Sequence, residues 1–125
     1  MKKSLSACAT AIVLAVGLLG CNLDVPPISS ATCATYAAGS PGPQKELTRT
    51  QLDALNSWLS DHRSEWSRTA LTHAPRTLIW IQHQDGEASS LNLLPGLLIA
   101  SGPFGQYQRA LTEYEARALA RILEL

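Results

Sequence analysis

The chain has 125 residues, with ten Lys and Arg residues balanced by ten Asp and Glu residues, so its formal net charge is zero. These charges are interspersed along the sequence, which excludes the basic patch that nucleic-acid binding or a polybasic membrane surface requires. The length is enough for one small domain.

The N-terminus combines a basic start with an apolar run. Lys2 and Lys3 are followed by residues 5–20, which are all apolar or small and carry no charge. A membrane-spanning helix needs roughly 20 apolar residues, and a core helix should keep a polar face. A basic start, a short apolar run and small residues near a cleavage site are typical of a secretory signal peptide. We therefore expect residues 1–20 to be a signal peptide.

The segment Leu18-Leu19-Gly20-Cys21 resembles the lipobox of bacterial lipoproteins, although Leu19 is bulkier than the usual Ala or Ser. The resemblance implies cleavage after Gly20, lipidation of the Cys21 sulfur, and three acyl chains on the mature N-terminus. Two or more chains hold a protein stably on a membrane. By the sorting rule of enteric bacteria, Asn22 in place of Asp implies the periplasmic side of the outer membrane, with the inner membrane as the alternative. The alternative is a plain secreted protein cleaved nearby, with Cys21 left as a thiol.

Loss of the signal peptide would leave 105 residues and, without Lys2 and Lys3, a formal charge near −2. Residues 22–44 are rich in Pro, Gly, Ser, Ala and Thr and show no periodicity, which predicts a flexible linker. With the cysteine that the resemblance implies to be lipidated, this segment spans residues 21–44. Cys33 would lie in this linker, either as an unpaired thiol or in an intermolecular disulfide. A small domain would then occupy residues 45–125.

A first helix is predicted by a capping box, in which Thr48 caps the helix and Gln51 reaches back. Its apolar stripe consists of Leu52, Leu55, Leu59 and Trp66, with Trp58 on the flank. His62 falls within this stripe, either as a ligand or base or as an ordinary histidine at the edge of the stripe.

A last helix begins in the same way, with Thr112 as the cap and Glu115 as its reciprocal partner. Glu113 and Arg117 are spaced for an exposed ion pair. The predicted buried stripe contains Ala118, Leu119, Ile122 and Leu123.

Between the helices, Asp85-Gly86 predicts a hairpin with a two-residue turn. This turn would pair Trp80 with Leu91 and Leu78 with Leu93 on the buried face. Pro95-Gly96 indicates a second turn, and residues 97–101 a third strand. The expected fold is therefore α+β, with an N-terminal helix, a three-stranded antiparallel meander and a C-terminal helix in two layers.

Two places are expected to contact a protein partner. Ile79 and Ile81 would form an apolar strip on the outer face of the sheet if the helices cover only the other face. The alternatives are one helix on each face, or isolated isoleucines on a wet surface. Residues 101–109 would form an irregular loop that presents Phe104, Tyr107 and Arg109, unless an aromatic ring folds back onto the core.

No nucleophile elbow, zinc-protease pair, phosphate-binding loop or dinucleotide fingerprint occurs in the sequence. We therefore expect a non-enzymatic lipoprotein of the inhibitor, immunity or envelope-accessory type. It would attach to the membrane through its lipid and bind an unknown protein, with no cofactor, metal or nucleic acid. The alternative is an envelope enzyme or metal-handling protein that uses His62, His73 and His83.

Overall fold

The computed structural model describes residues 20–125, which form one eight-stranded antiparallel sheet and two helices. The expected signal peptide lies outside the described residues except for Gly20. The strands are β1 (Ile28–Ala37), β2 (Ser40–Pro41), β3 (Lys45–Glu46), β4 (Ser67–Arg68), β5 (Thr77–His83), β6 (Ala88–Leu94), β7 (Leu97–Gly102) and β8 (Gly105–Ala110). The helices are α1 (Arg49–Asp61) and α2 (Glu113–Leu123).

The strand order is β2-β1-β5-β6-β7-β8-β4, and β3 also pairs with β1. The sheet therefore has one edge at the short strands β2 and β3 and the other edge at β4. Strands β5 to β8 form consecutive hairpins. Strand β1 pairs with β5 although the two strands are far apart in the sequence.

The expected fold was wrong in two elements. The three-stranded meander is part of a larger sheet, and the first helix follows three strands instead of opening the domain. The flexible linker is also not observed, because β1 is an interior strand that pairs with β5 along residues 28–35 and with β2 at residues 36–37. Its sequence, ISSATCATYA, is mostly small and polar, so it lacks the alternation of bulky apolar residues that marks a strand. The short strands β2, β3 and β4 were also missed, as was β8, which follows β7 through a two-residue turn between Gly102 and Gly105.

Both helix starts were predicted correctly. The hydroxyls of Thr48 and Thr112 accept hydrogen bonds from the backbone N–H groups of Gln51 and Glu115, whose side chains bond back to the capping residues. Such boxes satisfy backbone donors that lack a partner within the helix. Helix α1 ends at Asp61, so Trp66 does not belong to its stripe; it is buried next to β4.

The β5–β6 hairpin has the predicted strands but a different register. His83 donates its backbone N–H to the Glu87 carbonyl at 2.8 Å, which leaves a three-residue loop with Gly86 at a φ of +91°. Ile79 therefore pairs with Leu91, and Trp80 pairs with Ser90. A slip of one residue moves every side chain to the opposite face. The expected burial of Leu78 and Trp80 between sheet and helices is therefore wrong.

The core lies between the helices and the inner face of the sheet. Paired residues in an antiparallel sheet point to the same side, so the register defines this face. It carries Ala31, Cys33, Ile79, Ile81, Leu91, Leu98, Ala100 and Tyr107. The helices contribute Leu52, Leu55, Trp58, Leu59, Leu119 and Leu123. Both helices bury their apolar stripes in this one cluster, which leaves the other face of the sheet without a helix.

Candidate functional site

The outer face of the sheet is partly covered by residues 69–76, here called the strap, which connect β4 to β5. Gln106 on β8 donates to the carbonyls of Thr69 and Leu71, and Asn92 on β6 donates to the carbonyl of Ala74. Because the register places both Gln106 and Asn92 on the outer face, the strap crosses that face from β8 to β6. Ile99 lies between them on β7 and is only 6% exposed, although it is not part of the core cluster.

On the β1 and β5 side of the outer face some side chains stay partly exposed, although Ala34 is only 2% exposed. The outer patch consists of the partly exposed residues Thr32, Leu78, Trp80 and Ser90. Trp80 stands between Thr32 on β1 and Ser90 on β6. These neighbours are short, so the indole is the largest group in its row. Leu78 and Trp80 do not belong to the core cluster or to the side chains packed against it.

The residues expected to form the exposed strip are buried. Ile79 is 1% exposed and Ile81 is 2% exposed, and both face the helices. Both helices cover the inner face, as one of the alternatives had it, but the residues assigned to the outer face were wrong because the hairpin register differs by one. Gln84-Asp85-Gly86 is compatible with a two-residue or a three-residue loop. The three-residue loop, which is the one observed, places Leu78 and Trp80 on the outer face.

The expected loop at residues 101–109 is a hairpin whose aromatic residues fold inward. Tyr107 is fully buried, and Phe104 packs against the core with its ring centroid 6.3 Å from that of Tyr107. The guanidinium of Arg68 lies 5.3 Å from the Tyr107 ring centroid. Neither aromatic ring is therefore a free anchor for a partner, and the alternative in which they complete the core is the one observed.

Arg109 is 4% exposed and is held by groups of its own chain. Its Nε donates to the Ser64 carbonyl at 2.9 Å, and Nη1 donates to the Glu115 carboxylate at 3.1 Å. His62 faces the same carboxylate, with Nε2 3.6 Å from Oε2, and its ring stacks on Trp58. This cluster joins α1, β8 and α2, so the expected role of Arg109 as an exposed anchor is wrong.

The charge cluster shifts the titration of Glu115. Burial alone raises the pKa of this carboxyl. Hydrogen bonds from the Thr112 backbone and Arg109, together with the charges of Arg109 and His62, outweigh burial and lower the pKa below its ordinary value. All the groups that contact the Glu115 carboxylate belong to the protein, and together they connect the two helices. The cluster is therefore a structural ion-pair site.

The three histidines occupy separate environments. His83 donates from Nδ1 to the Pro26 carbonyl at 2.8 Å and bonds to Ser89 through Nε2, so it fixes residues 26–27 to the sheet. His62 caps α1, and His73 lies in the strap. Within residues 20–125 there is no group of three His, Cys, Asp or Glu side chains able to hold a metal ion.

Cys21 is built into the domain. Its backbone N–H donates to the Trp66 carbonyl at 2.7 Å, and the Trp66 N–H donates back to the Cys21 carbonyl at 3.1 Å. The residue is 5% exposed, and its sulfur is engaged in a disulfide bond in this structure. Lipidation of the same sulfur and this disulfide are mutually exclusive.

A groove of about 270 Å³ lies at the opposite edge of the sheet, between β1, β3 and the end of α2. Its wall contains Cys33, which lies in a buried strand and not in a linker, and which forms no disulfide with another described residue. Burial raises the pKa of this thiol above its ordinary value, and the nearby charge of Lys45 offsets the effect only in part. The raised pKa disfavours the thiolate, which is the reactive form of a cysteine.

No family model matches this chain, and no curated protein or solved structure is similar enough to count as a match. None of the helices in the described part of the chain has the length and apolar character needed to cross a bilayer. Function must therefore be inferred from the geometry of the chain and from its N-terminal motif.

Proposed function

We propose that this protein is a lipoprotein that is anchored to the periplasmic side of the outer membrane and binds another protein without catalysing a reaction. Two features support the proposal. The lipobox-like segment ending at Cys21 provides the anchor. The outer patch provides the candidate surface, with the partly exposed indole of Trp80 at its centre.

The observation that carries the binding proposal is the position of Trp80. Tryptophan is enriched among the interface residues that contribute most to binding. Trp80 has Thr32 and Ser90 as its cross-strand neighbours. Leu78 follows on the same face, paired with Ala34 on β1 and Asn92 on β6. Truncation of such an anchor costs at least about 2 kcal/mol, which weakens binding roughly thirtyfold.

Affinity capture from periplasm with a Cys21→Ser form of the chain tests the binding proposal. The matched comparison is between Trp80→Ser on the outer patch and Tyr114→Ser on α2, where the ring is 73% exposed and outside the patch. We expect one protein to be enriched by the parent bait and by Tyr114→Ser, and to be lost with Trp80→Ser. Equal enrichment by all three folded baits would refute a role for the outer patch.

Intact-mass analysis of protein extracted from membranes tests the anchor. We expect a chain that begins at Cys21 and carries a diacylglyceryl group and an N-linked acyl chain. Cys21→Ser should leave the protein in the soluble fraction. A membrane-extracted chain that retains its first twenty residues and the disulfide would refute lipidation.

A further inference from the structure

This inference rests on the proposed function, in which Cys21 carries the lipid anchor. The anchor would then be attached directly to the folded domain, with no flexible linker between them. Cys21 forms two backbone hydrogen bonds with Trp66. These two bonds use the N–H and C=O groups, and the sulfur lies 3.2 Å from the same Trp66 carbonyl oxygen. A thioether on the sulfur and an amide-linked acyl chain on the nitrogen leave both groups available.

The residues after Cys21 are fixed as well. Leu23 is 1% exposed and donates its N–H to the Arg63 carbonyl at 2.8 Å. The Asp24 carboxylate accepts from Arg63 at 3.3 Å. The next residues are held by His83, whose Nδ1 bonds to the Pro26 carbonyl. Ile28 then begins β1, with its N–H bonded to the side chain of Asn56. A flexible leash between lipid and domain is therefore absent from the described residues that follow Cys21.

The position of the anchor defines which edge of the sheet faces the lipid. Trp66 immediately precedes β4, which is the last strand at one edge. Gly20, whose place an N-linked acyl chain would take, is exposed beside the backbone of Glu65 and Trp66. A Cβ on Gly20 would lie 2.7 Å from both the Glu65 carbonyl carbon and the Trp66 oxygen. An unbranched acyl chain has no atom at the position of that Cβ, so it fits the close contact with the backbone of Glu65 and Trp66.

We infer that the domain stands on the membrane on its β4 edge, so that the surface around residues 63–69 contacts the lipid headgroups. Neighbouring strands are about 4.8 Å apart, so the six steps from β4 to β2 place the opposite edge roughly 30 Å from the lipid. The groove beside Cys33 lies at that far edge. Trp80 on β5 lies four steps from β4, roughly 19 Å above the headgroups. The outer patch is therefore open to the periplasm, beyond the Debye length of about 8 Å over which the membrane charge acts.

Headgroup photo-crosslinking of the lipidated chain tests this orientation. The protein is placed in phosphatidylethanolamine and phosphatidylglycerol vesicles that contain a phosphatidylethanolamine with a diazirine on its headgroup. Adducts are then counted on peptides covering residues 63–69 and residues 38–46. Because the second segment stays roughly 30 Å away, we expect at least about tenfold more adducts on the first.

The control variant carries ten Gly and Ser residues inserted between Cys21 and Asn22. Such an insert spans about 17 Å on average, so the labelling of the two segments should become similar. Equal labelling of both segments in the acylated parent chain would overturn the orientation while leaving the anchor intact. A parent chain that lacks acyl groups by intact mass and does not float with vesicles would overturn the proposed function, and the orientation with it.

Discussion

Arg109→Met is expected to destabilise the domain by breaking the ion-pair cluster between the helices and β8. The side chain of Arg109 is 5% exposed and that of Glu115 is 19% exposed. Removing one partner of a buried pair costs about 3–5 kcal/mol. Water reaches part of Glu115, so we expect the lower end, about 3 kcal/mol. The Ser64 carbonyl also loses its donor.

Urea unfolding of the Cys21→Ser chain at pH 7 measures this loss. With a slope of about 2 kcal/mol per molar urea, the midpoint should fall by roughly 1.5 M. The control is Arg117→Met, because Arg117 is 67% exposed and lies 3.9 Å from Glu113. Exposed pairs of this kind contribute less than about 1 kcal/mol. Arg109→Met/Glu115→Gln should recover part of the loss, since it removes the unpaired carboxylate and keeps a capping residue.

The same variants have a pH signature. The pKa of Glu115 in the folded protein lies below its ordinary value of 4.5. Its contribution to stability is therefore complete above that value and is lost as the pH falls through the folded pKa. Arg109→Met should shrink this acid-dependent loss. A loss no larger than that of Arg117→Met, with an unchanged pH dependence, would refute the assignment of this cluster as structural.

Three further predictions concern single groups. Tyr107→Phe should keep or raise the urea midpoint, because the buried hydroxyl has no hydrogen-bond partner among the described residues and such groups cost about 1–3 kcal/mol; a clear drop would reveal a bond that this geometry lacks. Thr112→Ala should lower the free energy of unfolding by about 1 kcal/mol, the usual value of a helix cap, and an unchanged midpoint would argue against the capping box. In the native protein, the thiol of Cys33 should react with iodoacetamide at less than about a tenth of its rate in urea, and it should need a higher pH than an ordinary thiol. The reason is that burial raises its pKa and the thiolate is the reactive form. Equal rates in native and unfolded protein would contradict its burial.

The parts of the fold that were predicted correctly depend on neighbours within a few residues. The capping boxes at Thr48 and Thr112 and the exposed Glu113–Arg117 pair occur as expected. The turn at Pro95-Gly96 also occurs, with Gly96 at a φ of +70°. Each of these features satisfies its backbone or charge requirements locally, so the short-range pattern is enough to indicate it.

The missed parts depend on contacts between distant residues. Strand β1 has little bulky apolar character, and it is a strand because it exchanges hydrogen bonds with β5 on one side while α1 packs against it. The residues of the outer face were predicted wrongly for a similar reason. Whether Trp80 or Ile79 faces outward depends on one residue of loop length, and the sequence at Asp85-Gly86 permits both loops.

By itself, the sequence determined where the helices begin, which segments form the β5–β7 hairpins, and that a lipobox-like segment precedes the domain. Only the tertiary structure decided the role of residues 21–44, the face that carries Trp80, and the burial of Tyr107 and Arg109. Helix caps and tight turns are stabilised by bonds between residues close in the chain. Long-range pairing decides which strand a given strand pairs with and which of its faces is buried. The free energy of that pairing depends on distant residues, so a short segment does not reveal it.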